Sequence, residues 1–207
     1  YRNYKSPEAN TICDVECRDV GMLVPLQDYI DSHPTGDIFI VLHQMGNHGP
    51  AYYKRYPAAF EHFQPVCRNN DLSQCTREEI VNAYDNALRY TDHFLAETIE
   101  LLKRNDDRFE TAFFYVSDHG ESLGEGGTYL HGLPKAIAPS GQLQVPALMW
   151  FGQNYDELDR QKLMAKRNLP FTHDNLFHTV LGFMEVETAI YRPELDILDG
   201  CRKPETH

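Results

Sequence analysis

The sequence predicts an α/β fold with a central, mostly parallel sheet flanked by helices, and three observations carry that reading. The runs IFIVLH at 38–43, TAFFYVSDHG at 111–120 and QVPALMWF at 144–151 are short, apolar and rich in β-branched and aromatic residues without polar alternation. That is the pattern of strands covered on both faces. Between the first two lies a long amphipathic helix, opened by a capping box of Thr76 and Glu79. Its stripe of Ile80, Tyr84, Ala87, Leu88, Thr91, Leu95, Ile99 and Leu102 recurs at three- and four-residue spacing up to Lys103 and Arg104. The pair reads as a βαβ crossover with a loop insertion. Finally, His43 and Asp118 fall at the carboxyl ends of predicted strands, where open α/β sheets collect their ligands.

An amphipathic helix is expected at about 23–32, and a second helix at about 174–184 with Leu176, Phe177, Val180, Leu181 and Met184 on its apolar stripe and Thr172 as a cap. The charged region at about 156–167 reads as a solvated helix or loop. A chain of 207 residues suits one sizeable domain, or a domain with an appendage. Nineteen basic against thirty-one acidic residues give a net charge of −12, the wrong balance for a nucleic-acid partner, whose phosphates need neutralising. No apolar stretch approaches the roughly 18 residues that cross a bilayer. The chain opens with Tyr1 and lacks a signal peptide's charged head and apolar body, so it reads as a fragment or processed piece with upstream sequence missing.

The five cysteines include no CxxC pair, which weakens a zinc-finger or thioredoxin reading. PVCRNNDLSQC, polar and turn-rich between Cys67 and Cys75, suits a disulfide-clipped loop in an oxidising compartment; five reduced thiols are the other reading. Cys201 is then either free or paired with a cysteine upstream of Tyr1.

The chemistry concentrates after the second strand. Asp118 and His119 stand side by side at its end, and an oxygen with a nitrogen ligand suits Zn²⁺, with Mn²⁺ second. A bare DHG triplet is equally a turn with a capping aspartate. The stretch that begins at its glycine, GESLGEGGTYLHG, is glycine-rich, carries two glutamates and His131, and is long for a mere connection; it is better suited to lining a pocket. His48 sits in GNHGP, its backbone fixed by glycine and a Gly-Pro turn. His48 and His131, both in glycine-flanked loops on the strand-end face, read as functional. His43 reads as an ordinary surface or core histidine, as do His33, His62, His93, His173, His178 and His207. Tyr52, Tyr53, Tyr56 and Phe60 read as core packing or the wall of a lipid-facing cleft. No P-loop, GxGxxG, GxSxG or HExxH pattern is present.

Together, MGNHGPAYYKRYP, AYDNAL, YVSDHGESLGEGGTYLHGLP and QVPALMWF resemble the periplasmic catalytic domain of the lipid A phosphoethanolamine transferases, the EptA and mobile colistin resistance enzymes of the alkaline phosphatase and sulfatase superfamily. The resemblance runs from about Thr11 to about Met184. It implies an alkaline-phosphatase/sulfatase-like sandwich, with Asp118 and His119 as ligands of a catalytic Zn²⁺. His48 and His131 would meet the substrate phosphate or a second metal, and Glu121 would orient those groups. It further implies an inner-membrane enzyme with its catalytic domain in the periplasm. There a threonine attacks phosphatidylethanolamine, forms a phosphoethanolamine-threonine intermediate and passes the group to a lipid A phosphate, giving polymyxin resistance. The family's nucleophilic threonine and its remaining glutamate ligand match no position here; Thr11, Thr76 and Thr128 do not correspond. Residues 1–207 are therefore expected to be the carboxy-terminal portion of a single catalytic domain, without its amino-terminal transmembrane region and inactive alone. Cys13 and Cys17 stand closer together than the family's usual loop. Two other readings stand beside this one. The first is a sulfatase, phosphatase or phosphoglycerol transferase of the same superfamily; the second is a non-catalytic remnant that binds metal or lipid headgroups.

Overall fold

The computed structural model describes residues 2–203. A 3₁₀ turn at Asp19–Met22 leads into the short helix α1 (Leu26–Asp31), and α2 (Arg77–Lys103) is the long helix. Its start is the expected one. The Thr76 hydroxyl accepts from the Glu79 N–H, and the Glu79 carboxylate accepts from the Thr76 N–H at 2.7 Å, so two donors that the helix cannot satisfy internally are paired.

The packed face of α2 is rotated from the expected stripe. Ile80, Ala83, Asn86, Ala87, Tyr90, Thr91, Phe94, Thr98 and Leu101 are buried, whereas Leu88 is exposed and Leu95, Ile99 and Leu102 are only partly covered. A hydrophobicity pattern passes over Asn86, yet Asn86 is fully buried and fixes the face. Its Oδ1 accepts from the N–H groups of His62 and Phe63 at 2.8 and 2.9 Å, and its Nδ2 donates to the Phe63 carbonyl at 2.9 Å. A loop without secondary structure of its own thus obtains its hydrogen bonds from a helix side chain, as buried backbone groups require.

That face organises the core around the site. Tyr52, Cys67, Leu72, Ile80 and Ala83 form one cluster, with Leu123 and Leu130 packed against it. Tyr56, Ala87 and Tyr90 form another, with Val20 and Phe60 against it. The Cys67–Cys75 disulfide closes its loop within the first cluster, Cys13 and Cys17 are also joined, and Cys201 is a buried free thiol.

Strand β1 (Ala112–Val116) follows α2, and the hairpin strands β2 (Ser122–Leu123) and β3 (Tyr129–Leu130) pair antiparallel with Ser122 opposite Leu130. Helix α3 (Ser140–Leu143) precedes β4 (Ala147–Phe151), which pairs with β1. The Ser117 N–H donates to the Pro146 carbonyl, and the Gly152 N–H to the Thr111 carbonyl. One index rises as the other falls, so the pair is antiparallel. The expected parallel neighbour does not form: residues 38–43 carry no strand, and Phe39 and Val41 are 55% and 73% exposed. Among the described residues no strand pairs with this segment, and apolar residues alone do not make a ladder.

Contacts divide the chain into two units, one comprising the chain to Asn105 with Phe113–Trp150, the other Asp106–Ala112 with the chain from Phe151. In the second unit, Asp159 caps α4 (Arg160–Lys166) by accepting from the N–H groups of Gln161 and Lys162, and α5 spans Asp174–Phe183. The Asp174 N–H donates to the Thr172 hydroxyl at 3.3 Å. The buried side of α5 is polar, the reverse of expectation: Asn175, His178 and Thr179 are covered while Phe177 is half exposed. Asn175 donates to the Leu195 carbonyl, Thr179 accepts from the Ile197 N–H, and His178 Nδ1 accepts from the Arg192 N–H. Here again an irregular segment draws its hydrogen bonds from helix side chains.

Candidate active site

The site lies wholly within the first unit, and three stretches of chain build it. At the end of β1, the Ser117 hydroxyl donates to the His119 carbonyl at 2.8 Å and the His119 N–H donates to Asp118 Oδ1 at 3.0 Å, which folds the strand end into a tight turn. The Gly120 N–H then donates to the Gln142 carbonyl at 3.1 Å. A Cβ at Gly120 would collide with the Gly141 carbonyl, so a side chain there would push the turn off α3.

The second stretch is the β2–β3 hairpin, which carries Glu121 at its entrance and His131 at its exit. Gly124, at φ +106°, makes the turn that brings the two ends together, a conformation glycine adopts without steric cost. Leu123 and Leu130, both partly buried, anchor the hairpin to the core at α2, each contributing less than the roughly 1.5–3 kcal/mol of a fully buried leucine. Leu130 itself holds φ +61°, a left-handed conformation costly for a branched side chain, immediately before His131.

The third stretch is the loop bearing His48. Asp19 Oδ1 accepts from the Met45 N–H and Oδ2 from the Gly46 N–H, both at 2.9 Å. Thr91 on α2 donates to Asn47 Oδ1 at 2.6 Å, and Arg55 Nε donates to the His48 carbonyl at 2.6 Å while its guanidinium pairs with Glu16. Burial pushes the Asp19 carboxyl above its ordinary value, against the pull of the two N–H donors and of Arg55 and Arg18.

These stretches bring His48, His119 and His131 together. One ring nitrogen from each lies within 4.8 Å of the others. The rings of His119 and His131 stack at 3.7 Å between centroids, with His48 edge-on at 5.1 and 5.8 Å. Each Nδ1 faces an acceptor: the Gly49 carbonyl for His48 at 2.7 Å, the Gly120 carbonyl for His119 at 3.1 Å and the Glu121 carboxylate for His131 at 3.1 Å. Carbonyl and carboxylate oxygens only accept, so in the neutral form of each ring Nδ1 carries the proton and Nε2 keeps its lone pair. An acceptor behind each ring is the arrangement found where histidines ligate metal. Asp118 lies beside this group, not in it. Its side chain is 78% exposed, and its Oδ1 is 3.8 Å from His119 Nε2.

Glu121 ties the stretches together. Its side chain is 4% exposed and accepts from the Gly49 N–H at 3.1 Å, the Tyr52 hydroxyl at 3.3 Å and His131 Nδ1. Burial, and then the charge of Glu121, hold the Tyr52 hydroxyl far above its ordinary value, so it remains a donor at any physiological pH.

Of the residues singled out from the sequence, His48, His119, His131 and Glu121 converge, Asp118 adjoins them, and His43 is exposed and outside the group. Tyr52, Asp19 and Arg55 were not anticipated. Tyr52 read as packing or cleft wall, and only the position of its hydroxyl reveals the bond to Glu121. For Asp19, no spacing in the sequence relates it to a loop 26 residues away.

Residues 1–186 match the sulfatase family, and the chain belongs to that family. It is 54% identical to the phosphatidylethanolamine transferase Mcr-2 of Escherichia coli over 190 residues, 90% of this chain and 34% of that protein. To the phosphoethanolamine transferase EptA of Salmonella typhimurium (strain LT2) it is 46% identical over 194 residues, 92% of this chain and 35% of that one. The soluble domain of lipooligosaccharide phosphoethanolamine transferase A from Neisseria meningitidis superposes with a TM-score of 0.91 at 41% identity, covering 98% of this chain and 62% of that structure. The fold is thus the sulfatase/alkaline-phosphatase α/β fold, and the chain spans about a third of the length of these two curated relatives. No helix among the described residues is long and apolar enough to cross a membrane.

Proposed function

We propose that this chain is the carboxy-terminal portion of the periplasmic catalytic domain of a zinc-dependent, inner-membrane phosphoethanolamine transferase. The enzyme moves phosphoethanolamine from phosphatidylethanolamine to a lipid A phosphate through a phospho-threonine whose threonine lies outside this chain. The observation that carries the reading is the convergence of three histidines whose Nε2 lone pairs are all left free. The resemblance of the motif strings and the named activities of the relatives support it.

The donor set fits zinc: imidazole nitrogens backed by hydrogen-bond acceptors, with one carboxylate adjoining. Asp118 and His119 hold the ion in this reading. Bound there, zinc supplies a Lewis acid that steadies charge on phosphoryl oxygens and lowers a hydroxyl's pKa. His48 and His131 face the phosphate or a second ion. When protonated, their Nε2–H groups donate to phosphoryl oxygens as negative charge grows there. A chain with net charge −12 offers a phosphate little general attraction, so these local donors must supply it. Glu121 keeps the His131 proton on Nδ1 and, through the Gly49 N–H, ties His48's neighbour to the same carboxylate.

The test is Asp118→Ala in the protein carrying this chain, with phosphatidylethanolamine vesicles and lipid A as substrates and product read by mass spectrometry. At least a hundredfold loss of transfer, with zinc affinity reduced, is expected; undiminished transfer would remove Asp118 from the ligand set. Wild-type protein that releases free phosphoethanolamine to water at the rate at which it modifies lipid A would reject the transferase assignment.

A further inference from the structure

We propose that Asp19 is a positioning residue for His48: its carboxylate clamps the two consecutive backbone N–H groups of Met45 and Gly46 and so sets where the His48 ring stands against His119 and His131. The inference rests on the functional reading above, since it concerns the same three-histidine site.

The loop needs such a clamp. Residues 38–45 form no strand ladder, so nothing periodic fixes the approach to His48. On the far side, Gly49 and Tyr52 are locked by Glu121 and by the core cluster at α2. The near side depends on the 2.9 Å bonds from Met45 and Gly46 to Asp19, with Thr91 holding Asn47. Gly46 sits at φ +55°, so successive N–H groups point the same way and one carboxylate receives both. The His48 N–H then closes a turn onto the Met45 carbonyl, which links the clamped residue directly to the histidine.

A carboxylate is the side chain this geometry requires. It has two oxygens and only accepts, whereas an amide of the same shape turns an NH₂ toward one of the two N–H donors. Asp19→Asn should therefore break one bond and release the loop, while Asp19→Glu keeps both acceptors on a longer stem. Sites of this kind tolerate about 0.5 Å of misplacement, and loss of a supporting partner lowers metal affinity or activity about 10- to 100-fold.

The experiment compares wild type, Asp19→Asn and Asp19→Glu in the protein carrying this chain. Co²⁺ serves as a spectroscopic probe of the histidine group, kcat and KM for transfer are measured, and Asn86→Ala is a control destabilised away from the loop. Asp19→Asn is expected to shift the cobalt absorption bands and to lower kcat about 10-fold or more with KM little changed. Asp19→Glu should recover part of both, and Asn86→Ala should leave the bands unmoved. Wild-type bands and kcat in Asp19→Asn overturn the proposal, as does a matching change in Asn86→Ala. If Asp19→Asn does not fold, amide exchange in the wild type decides: Met45 and Gly46 N–H groups protected like α2 support the clamp, and exchange at open-loop rates overturns it. A wild type without transfer activity sinks the functional reading alone, because the cobalt and exchange measurements still judge Asp19.

Discussion

Replacing Glu121 with glutamine changes one atom in a carboxylate that three donors surround. The Gly49 N–H, the Tyr52 hydroxyl and His131 Nδ1–H all point at it from 3.1 to 3.3 Å, and the side chain is 4% exposed, so water cannot compensate. Hydrogen bonds to a charged partner contribute about 1.5–3 kcal/mol and neutral ones about 0.5–1.5 kcal/mol, while a buried donor left unpaired costs about 1–3 kcal/mol. With its oxygen in the Oε1 position, glutamine still accepts from the Gly49 N–H and His131 Nδ1–H while the Tyr52 hydroxyl turns to accept from the NH₂, so all three bonds drop from charged to neutral strength. The expected cost is about 3–5 kcal/mol, a large part of a typical total of about 5–15 kcal/mol. His131 Nδ1–H then donates to a neutral amide oxygen in place of a carboxylate, which makes its ring a weaker ligand, and metal affinity of the histidine group should fall about 10- to 100-fold. Urea unfolding of the zinc-free protein gives the first quantity, and zinc competition titration the second. A Glu121→Gln protein that binds zinc within about threefold of wild type would refute the claim that the charge of Glu121 supports His131 in the histidine group.

Two further outcomes are expected from the packing. Asn86→Ala removes a fully buried side chain and strips its part-buried bonds from the His62 and Phe63 N–H groups and the Phe63 carbonyl, and should cost about 2–4 kcal/mol in urea unfolding; a loss below about 1 kcal/mol would mean that the loop finds other partners. The capping box predicts a pH dependence. The N–H and hydroxyl of Thr76 hold the Glu79 carboxyl below its ordinary 4.5, so its stabilisation is complete above that value and is lost as pH falls through the lower folded-state value. The stability difference between wild type and Glu79→Gln, followed by thermal unfolding, should therefore be constant at neutral pH and vanish in acid; a difference that grows in acid would reverse the assignment.

Local rules made much of this chain legible. The capping box at Thr76 and Glu79, the end of α2 near Lys103, the strand Ala112–Val116 running into Asp118 and His119, and the clipped Cys67–Cys75 loop all arise from residues close to one another in sequence. The same applies to His48 and His131, since flanking glycines mark a backbone that has to turn. Polarity misled at α2 and α5. A stripe drawn through apolar residues missed Asn86, Asn175 and Thr179, which face inward because irregular loops need their hydrogen-bonding atoms. The run at 38–43 misled for the opposite reason: its composition suits a strand, but a strand exists only where another chain segment answers its hydrogen bonds.

The sequence alone thus marked His48, His119, His131 and Glu121, which the fold brings together, because residue type and local turn geometry are written in neighbouring letters. It also placed the chain among the sulfatase-type α/β folds through motif strings long enough to be specific. Tertiary structure alone decided how the site is held. The bond from His131 to Glu121, the burial of Glu121 among three donors and the grip of Asp19 on Met45 and Gly46 depend on contacts between residues from 10 to 72 positions apart. No periodicity spans such distances; only folding brings those atoms within bonding range.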